Sequence, residues 1–236
     1  MPNIKRKILL IAPHPDDIAY SSLLPASDKE NMATVMTIFG RSRYAYGNST
    51  NDEKKISSIR KSEDIKFSRF INAKLLYFNY PDSSITFSSE KNYEDLYPFH
   101  NELSNIIKSN IVNSHYDSVY FPMAIGWHYD HRIIREILMK EVIPHCNRTI
   151  EFIMYEDLPY ALPFSDKEIQ IEINSIIRKY GYLQTSHNTM SSPDVKILKD
   201  SIEIYESQYN ADTISKIVNH KIKGENIIEN FHKIHV

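Results

Sequence analysis

The sequence has few of the residues that several common kinds of site require. Cys146 is the only cysteine in 236 residues, which excludes an internal disulfide and a zinc site built from cysteines. Glycine occurs five times, and no Gly-x-Gly-x-x-Gly follows the first apolar segment, so a dinucleotide-binding site is disfavoured. No apolar run is long enough for a membrane span or for the core of a signal peptide. We therefore expect a cytoplasmic protein.

The charges of the chain are nearly balanced. Lysine and arginine number 28, aspartate and glutamate 30, and the formal net charge is -2. A chain without a basic excess has no general attraction for polyanions, so we expect no nucleic-acid partner. Hydrophobic residues make up 42% and charged residues 25%, which is typical of a soluble globular protein. The length suits one α/β domain spanning residues 1–236.

Short apolar segments alternate with segments of helical spacing over the first two thirds of the chain. This alternation predicts an α/β fold with three α/β/α layers and a Rossmann-like, mostly parallel sheet. From residue 158 onward the pattern is less regular, with helices expected at 169–178 and 195–205. The predicted strands are 7–12, 32–39, 74–80, 118–122 and 149–155. The other predicted helices are 18–25, 52–70, 97–113 and 131–140.

Two clusters of polar side chains follow predicted strands. His14, Asp16 and Asp17 come directly after the first strand, and His128, Asp130 and His131 come after the fourth. In parallel sheets, ligands bind beyond the carboxyl ends of the strands. The two clusters are therefore expected on the same rim of the sheet.

These residue types fit a catalytic zinc site, in which three protein ligands leave one position open for water or substrate. His14, Asp17 and His131 are the predicted ligands. Zinc lowers the pKa of its bound water to about 7, so hydroxide becomes available at neutral pH. Fe²⁺ also occupies sites with two histidines and one carboxylate. Asp16, beside the metal, is the predicted general base.

The remaining polar residues of the second cluster have predicted catalytic roles. His128, when protonated, is expected to stabilise the oxyanion or to protonate the leaving amine, and Asp130 is expected to orient one of the neighbouring imidazoles. Each cluster also has a structural interpretation. Asp16 or Asp17 could simply cap the following helix, and His128 and His131 could be an exposed pair at a helix start.

The segments His14-Pro15-Asp16-Asp17 and His128-Tyr129-Asp130-His131 together resemble the LmbE-like or PIG-L family of zinc-dependent N-deacetylases. The resemblance implies the same roles for the residues named above. It also implies hydrolysis of an N-acetyl (N-acyl) group from an amino sugar or a related small molecule by metal-bound hydroxide. Relatives in this family are commonly oligomeric, so a homo-oligomer is compatible with the resemblance.

Two weaker similarities predict substrate contacts. Arg60 and Glu63 resemble the family's Arg-x-x-Glu, whose arginine lies near the substrate, although a surface ion pair on a helix explains them nearly as well. Asp82 resembles an aspartate at a strand end that often touches sugar hydroxyls, although it could equally be a turn residue after Pro81.

One departure from the family pattern supports an alternative function. Ile18 stands where the family usually has a glutamate. The chain could therefore be a weakly active or inactive member that binds a metal or a ligand. A nucleotide-binding Rossmann domain is a third interpretation, supported only by the alternation of strands and helices.

Overall fold

An eight-stranded sheet forms the centre of the protein. The computed structural model describes residues 5–47, 52–86, 99–146, 149–182 and 184–235. Within these ranges the strands are β1 (Arg6–Ala12), β2 (Asn31–Thr37), β3 (Lys74–Tyr77), β4 (Ser118–Pro122), β5 (Glu151–Tyr155), β6 (Gln184–Ser192), β7 (Ile222–Lys223) and β8 (Asn226–His235).

The α-helices connect these strands and flank the sheet, so the predicted α/β fold is confirmed. They are α1 (Asp17–Ser21), α2 (Leu23–Ser27), α3 (Glu53–Phe70), α4 (Ser83–Thr86), α5 (His100–Ser114), α6 (Tyr129–Ile137), α7 (Asp166–Tyr180), α8 (Val195–Glu203) and α9 (Ala211–Lys221). None of the helices in the described ranges is long and apolar enough to cross a membrane.

The sheet order is β3-β2-β1-β4-β5-β8-β6, with β7 paired to β8. The first five strands in this order are parallel. The chain runs from β1 outward to β3 on one side and then from β4 to β5 on the other. The strand order therefore reverses between β1 and β4, and such a reversal leaves a crevice at the carboxyl ends where ligands bind.

Burial explains the apolar run of β1. Residues Ile8, Leu9, Leu10 and Ile11 are all at most 1% exposed, because the strand lies between β2 and β4 and both faces of the sheet are covered. A strand buried on both faces is expected to be apolar without alternation. The same strand carries the chain directly into the crevice.

The last part of the sheet contains strands that were not predicted. β8 pairs antiparallel with both β5 and β6, while the strands from β1 to β5 are parallel, so the sheet is mostly parallel, as predicted. The sequence of β6, Gln-Thr-Ser-His-Asn-Thr-Met-Ser-Ser, is almost entirely polar. It therefore lacks the hydrophobic alternation on which strand prediction depends.

Some boundaries also differ from the prediction. The helix expected at 18–25 is two short helices, separated at Ser22, where φ is -144°. The helix expected at 131–140 begins at Tyr129 and continues into a π-helical turn, Leu138–Val142. The predicted start of the helix at 97–113 lies outside the described residues, and α5 begins at His100.

Candidate active site

The turn after β1 places three polar side chains at the crevice. Asp16 has a φ of +117°, a backbone conformation that is strained for a residue with a Cβ. It occupies the N-cap position of α1, yet its side chain makes no capping hydrogen bond. The Asp17 carboxylate instead accepts a hydrogen bond from the backbone N–H of His14 at 2.7 Å. The helix-cap interpretation therefore does not describe either aspartate.

His131, on the first turn of α6, is fully buried and is held by a carboxylate from another strand end. Its Nδ1 lies 2.5 Å from Oδ1 of Asp157, just after β5. The other Asp157 oxygen accepts hydrogen bonds from the backbone N–H groups of Ala124 and Ile125. Because Asp157 accepts a hydrogen bond from Nδ1–H of His131, Nε2 carries the lone pair of the ring and faces the crevice.

His14 is oriented in the same way by Asp130. Its Nε2 lies 2.8 Å from Oδ2 of Asp130, and this oxygen also accepts hydrogen bonds from the backbone and the hydroxyl of Ser83. Asp130 is fully buried. It was expected to orient an imidazole of its own cluster, but it contacts the histidine of the other cluster.

The free ring nitrogens of the two histidines converge on Asp17. Its carboxylate lies 3.6 Å from Nδ1 of His14 and 3.3 Å from Nε2 of His131. Among the described residues, that Nε2 is buried without a hydrogen-bond partner. Asp130 and Asp17 also raise the pKa of His14 to about 10, although burial opposes its charged form. Two imidazole nitrogens and one carboxylate therefore face one point, which is a donor set that a catalytic metal site uses.

His14, His128 and His131 each have one ring nitrogen that lies within 4.8 Å of the corresponding nitrogens of the other two. The third donor to a metal could thus be His128 instead of Asp17. His14 and His131 each have a carboxylate that orients the ring, whereas Nδ1 of His128 is buried without a partner in the described part of the chain. Metal-ligating histidines almost always have such an orienting partner, which favours Asp17 as the third donor.

His128 faces the cavity from a strained turn. Ala124, Gly126 and Trp127 all have positive φ angles, and this turn brings the backbone against Tyr160. A Cβ on Gly126 would lie 2.9 Å from Cβ of Tyr160, so only glycine fits. The Tyr160 ring packs 4.9 Å from the ring of His128. Burial and the nearby histidines lower the pKa of His128 to about 3, which keeps the imidazole neutral.

Among the residues that the structure describes, Asp16 has no charged partner as close as those of Asp17. Burial and the charge of Asp17 raise the pKa of Asp16 well above its usual range, and Arg60 only partly offsets this shift. A carboxylate with a raised pKa is suited to accept and return a proton.

Arg60 and Glu63 are both buried, at 4% and 5% exposure, so the surface ion-pair interpretation is wrong. Arg60 donates to the Ser42 hydroxyl at 2.7 Å and lies 3.6 Å from the Asp82 carboxylate. Glu63 instead accepts hydrogen bonds from Ser207. Asp82 also accepts from the backbone N–H and the hydroxyl of Ser84, so it both shapes a turn and faces Arg60.

A cavity of about 620 Å³ lies at this crevice. Ile18 is not among its lining residues and belongs to the hydrophobic core, so the departure from the family glutamate does not alter the cavity wall. The lining residues include the predicted His14, Asp16, Asp17, Arg60, Asp82 and His128, and also the unpredicted Ser83, Ser84, Tyr160, Gln208 and Tyr209.

Asp157 is the main residue that the sequence argument missed. It directly follows a predicted strand, as His14 and Asp82 do, so the same signal was present. Gln208 and Tyr209 lie in the irregular C-terminal part of the chain, where no individual residue had a predicted role.

Comparisons with known proteins agree with this geometry. The family model described as PIG-L: GlcNAc-PI de-N-acetylase matches residues 9–142. A 2'-N-acetylparomamine deacetylase from Streptomyces fradiae is 25% identical over 92% of this chain and 79% of its own length. A deacetylase from the biosynthesis pathway of teicoplanin has the same fold, with a TM-score of 0.74, 18% identity, and coverage of 97% of this chain and 98% of its own.

The A40926 pseudoaglycone deacetylase also shares the fold, with a TM-score of 0.71, 20% identity, and coverage of 98% of both chains. The family match spans more than half of the chain, from β1 through α6, and includes both polar clusters. The chain therefore belongs to the PIG-L (LmbE-like) family.

Proposed function

We propose that this protein is a metal-dependent hydrolase that removes an N-acetyl group from an amino sugar or a related small molecule. The observation that carries the proposal is the convergence of His14, Asp17 and His131, with Asp16 beside them at the wall of an open cavity. The names of the relatives support the same chemistry, since those reported above are deacetylases.

His14, Asp17 and His131 would hold the metal, with zinc as the expected ion and Fe²⁺ as a second fit to the same donors. Asp130 and Asp157 would fix the tautomers of the two histidines, because each accepts a hydrogen bond at the ring nitrogen that faces away from Asp17. A metal held there would supply Lewis acidity, which acidifies water and polarises an amide carbonyl.

The other residues of the site would manage protons and developing charge. Asp16 would accept a proton from the attacking water, and its raised pKa would let it return that proton to the departing nitrogen. The neutral His128 imidazole would donate an N–H to the carbonyl oxygen as negative charge develops there. Arg60 and Asp82 would contact the sugar, since both line the cavity.

The test combines metal content with release of acetate from N-acetylated amino sugars. Asp16→Asn should retain the metal and lose at least 100-fold in kcat, on the order of a general base's contribution. His14→Ala should lose the metal and the activity together. Asp212→Asn is a matched control, because its side chain is 71% exposed, and it should behave as wild type.

Two results would contradict the proposal. The first is metal-loaded wild-type protein that releases no acetate from any member of a broad panel, which would favour the binding-protein alternative. The second is an Asp16→Asn variant with wild-type turnover, which would remove Asp16 from the chemistry.

A further inference from the structure

Three successive polar residues after β3 make hydrogen bonds in two different directions. We define residues 82–84 as the serine turn. Ser83 donates to Oδ2 of Asp130 from its backbone N–H and from its hydroxyl, each at 3.0 Å. Ser84 donates from its own N–H and hydroxyl to Asp82. Ser83 therefore joins the serine turn to α6, whereas Ser84 stabilises the turn itself.

The chain after β2 holds the serine turn from its other side. The backbone N–H of Asp82 donates to the carbonyl of Arg41 at 2.9 Å. The backbone N–H of Arg43 donates to the hydroxyl oxygen of Ser84 at 2.9 Å. These bonds fix the residues before and after Ser83. Ser83 thus presents its two donors to Asp130 from a backbone that does not depend on Asp130 for its position.

Asp130 depends strongly on Ser83. Its side chain is fully buried, and in the described part of the chain its Oδ1 has no hydrogen-bond partner. A buried carboxylate is strongly unfavourable unless hydrogen bonds compensate for the lost water. The compensation comes at Oδ2, which accepts from Ser83 twice and from Nε2 of His14 once. Ser83 therefore supplies two of these three donors.

His14 depends in turn on Asp130. Its Nε2 donates to Oδ2 of Asp130 at 2.8 Å, so its Nδ1 carries the lone pair of the ring. This Nδ1 lies 3.6 Å from the carboxylate of Asp17, on the side where the donors converge. The position of Oδ2 therefore sets both the tautomer of His14 and the direction of its lone pair, and Ser83 sets the position of Oδ2.

We propose that Ser83 is a positioning residue of the metal site, which acts through Asp130 to hold His14 in the tautomer and orientation that bind the metal. This inference rests on the proposed function, since it takes His14 as a metal ligand. Ser83 also lines the cavity. Both of its donors are already directed to Asp130, so its contribution is to metal affinity and not to a hydrogen bond donated to the substrate.

The test measures competition for zinc between the full-length protein and a chromogenic chelator, with no substrate present. Ser83→Ala removes the hydroxyl and keeps the backbone N–H. Losing a whole orienting partner costs roughly tenfold to a hundredfold in metal affinity. Because Ser83→Ala removes one of three donors to that partner, the zinc Kd should rise about three- to tenfold. A direct contact of Ser83 with a substrate cannot contribute to this readout.

Two serine-to-alanine variants serve as comparisons. Ser84→Ala makes the same change one residue later and removes a hydrogen bond to Asp82 instead of one to Asp130. Ser109→Ala removes an exposed hydroxyl of α5 that donates to the carbonyl of Ile106. The zinc Kd of both variants should stay within about twofold of wild type, because neither changes the orienting partner of a metal ligand.

A double-mutant cycle tests whether Ser83 acts through Asp130. Asp130→Ala removes the carboxylate that receives both donors of Ser83. In this background, Ser83→Ala should change the zinc Kd by less than about twofold, since residues that act through one contact are not additive. Melting temperatures of the metal-free proteins show whether each variant is folded. If Asp130→Ala does not fold, the comparison of Ser83→Ala with Ser84→Ala decides the question.

Three results would overturn the inference: a rise in zinc Kd of less than about threefold in Ser83→Ala, an equal rise in Ser84→Ala, or an undiminished effect of Ser83→Ala without Asp130. Acetate release from N-acetylated amino sugars is measured separately. Zinc binding that depends on Ser83, in a protein that releases no acetate, would refute the proposed hydrolase and support the role of Ser83 in the metal site.

Discussion

Replacing Asp157 with asparagine tests how the site prepares His131 for a metal. Asp157 is fully buried and accepts hydrogen bonds at both carboxylate oxygens. One oxygen accepts from His131 Nδ1, and the other accepts from the backbone N–H groups of Ala124 and Ile125. An asparagine has one oxygen and one NH₂ group. The two backbone donors will hold the oxygen on their side, so the NH₂ group will face His131.

That exchange reverses the hydrogen bond to the imidazole. With an NH₂ group opposite Nδ1, this nitrogen must become the acceptor, and the proton moves to Nε2. Nε2 is the atom that lies 3.3 Å from Asp17, so a protonated Nε2 cannot bind the metal. Loss of an orienting carboxylate costs roughly tenfold to a hundredfold in metal affinity, and the wrong tautomer places the expected loss at the upper end.

The assay is competition for zinc between the protein and a chromogenic chelator at fixed pH. Asp157→Asn should raise the zinc Kd about a hundredfold and keep the backbone contacts, so its melting temperature without metal should stay near the wild-type value. Asp117→Asn is a matched control, because Asp117 is exposed and accepts a hydrogen bond from Lys7 at the opposite edge of the sheet. A zinc Kd for Asp157→Asn within twofold of wild type would refute the tautomer argument.

Three further predictions concern stability, measured by urea denaturation. Gly126→Ala should destabilise the protein by about 1–3 kcal/mol more than Gly224→Ala. Both glycines have a positive φ, but only at Gly126 would the added Cβ meet Tyr160. Equal losses of stability would mean that backbone strain acts alone and that the contact with Tyr160 has no effect. Lys221→Met should lower the free energy of unfolding by about 3–5 kcal/mol, because it leaves the Glu229 carboxylate buried without its cation. Lys196→Met removes an exposed lysine from an ion pair and should change the free energy of unfolding little. Burial raises the pKa of Asp64 from 3.8 to about 6, so the native state holds this proton more tightly and stability falls as pH rises between these values. The stability advantage of wild type over Asp64→Asn should therefore shrink by roughly 2.4 kcal/mol from pH 4 to pH 7. A pH-independent difference would contradict the shift.

The position of the site was predictable because it follows from strand connectivity. β1 and β4 are adjacent and parallel, so residues that follow them must meet at one rim, whatever the loops between them do. Asp157 follows β5, the next strand of the same rim, and the same reasoning applied to every strand end would have identified it. A histidine at a strand end stands out as a candidate ligand more readily than a lone aspartate does.

The partners within the site were not predictable in the same way. Asp130 lies beside His131 in the sequence, but neighbouring residues on a helix diverge by about 100°, so the Asp130 carboxylate points away from the His131 ring. It meets His14, 116 residues earlier in the chain, and that pairing depends on how α6 is rotated against the end of β1. The position of the chain between α8 and α9 depends in the same way on the contact of Glu63 with Ser207, 144 residues apart. Strand order can therefore locate chemistry at a rim, while hydrogen-bond partners across the rim require the packing of the helices.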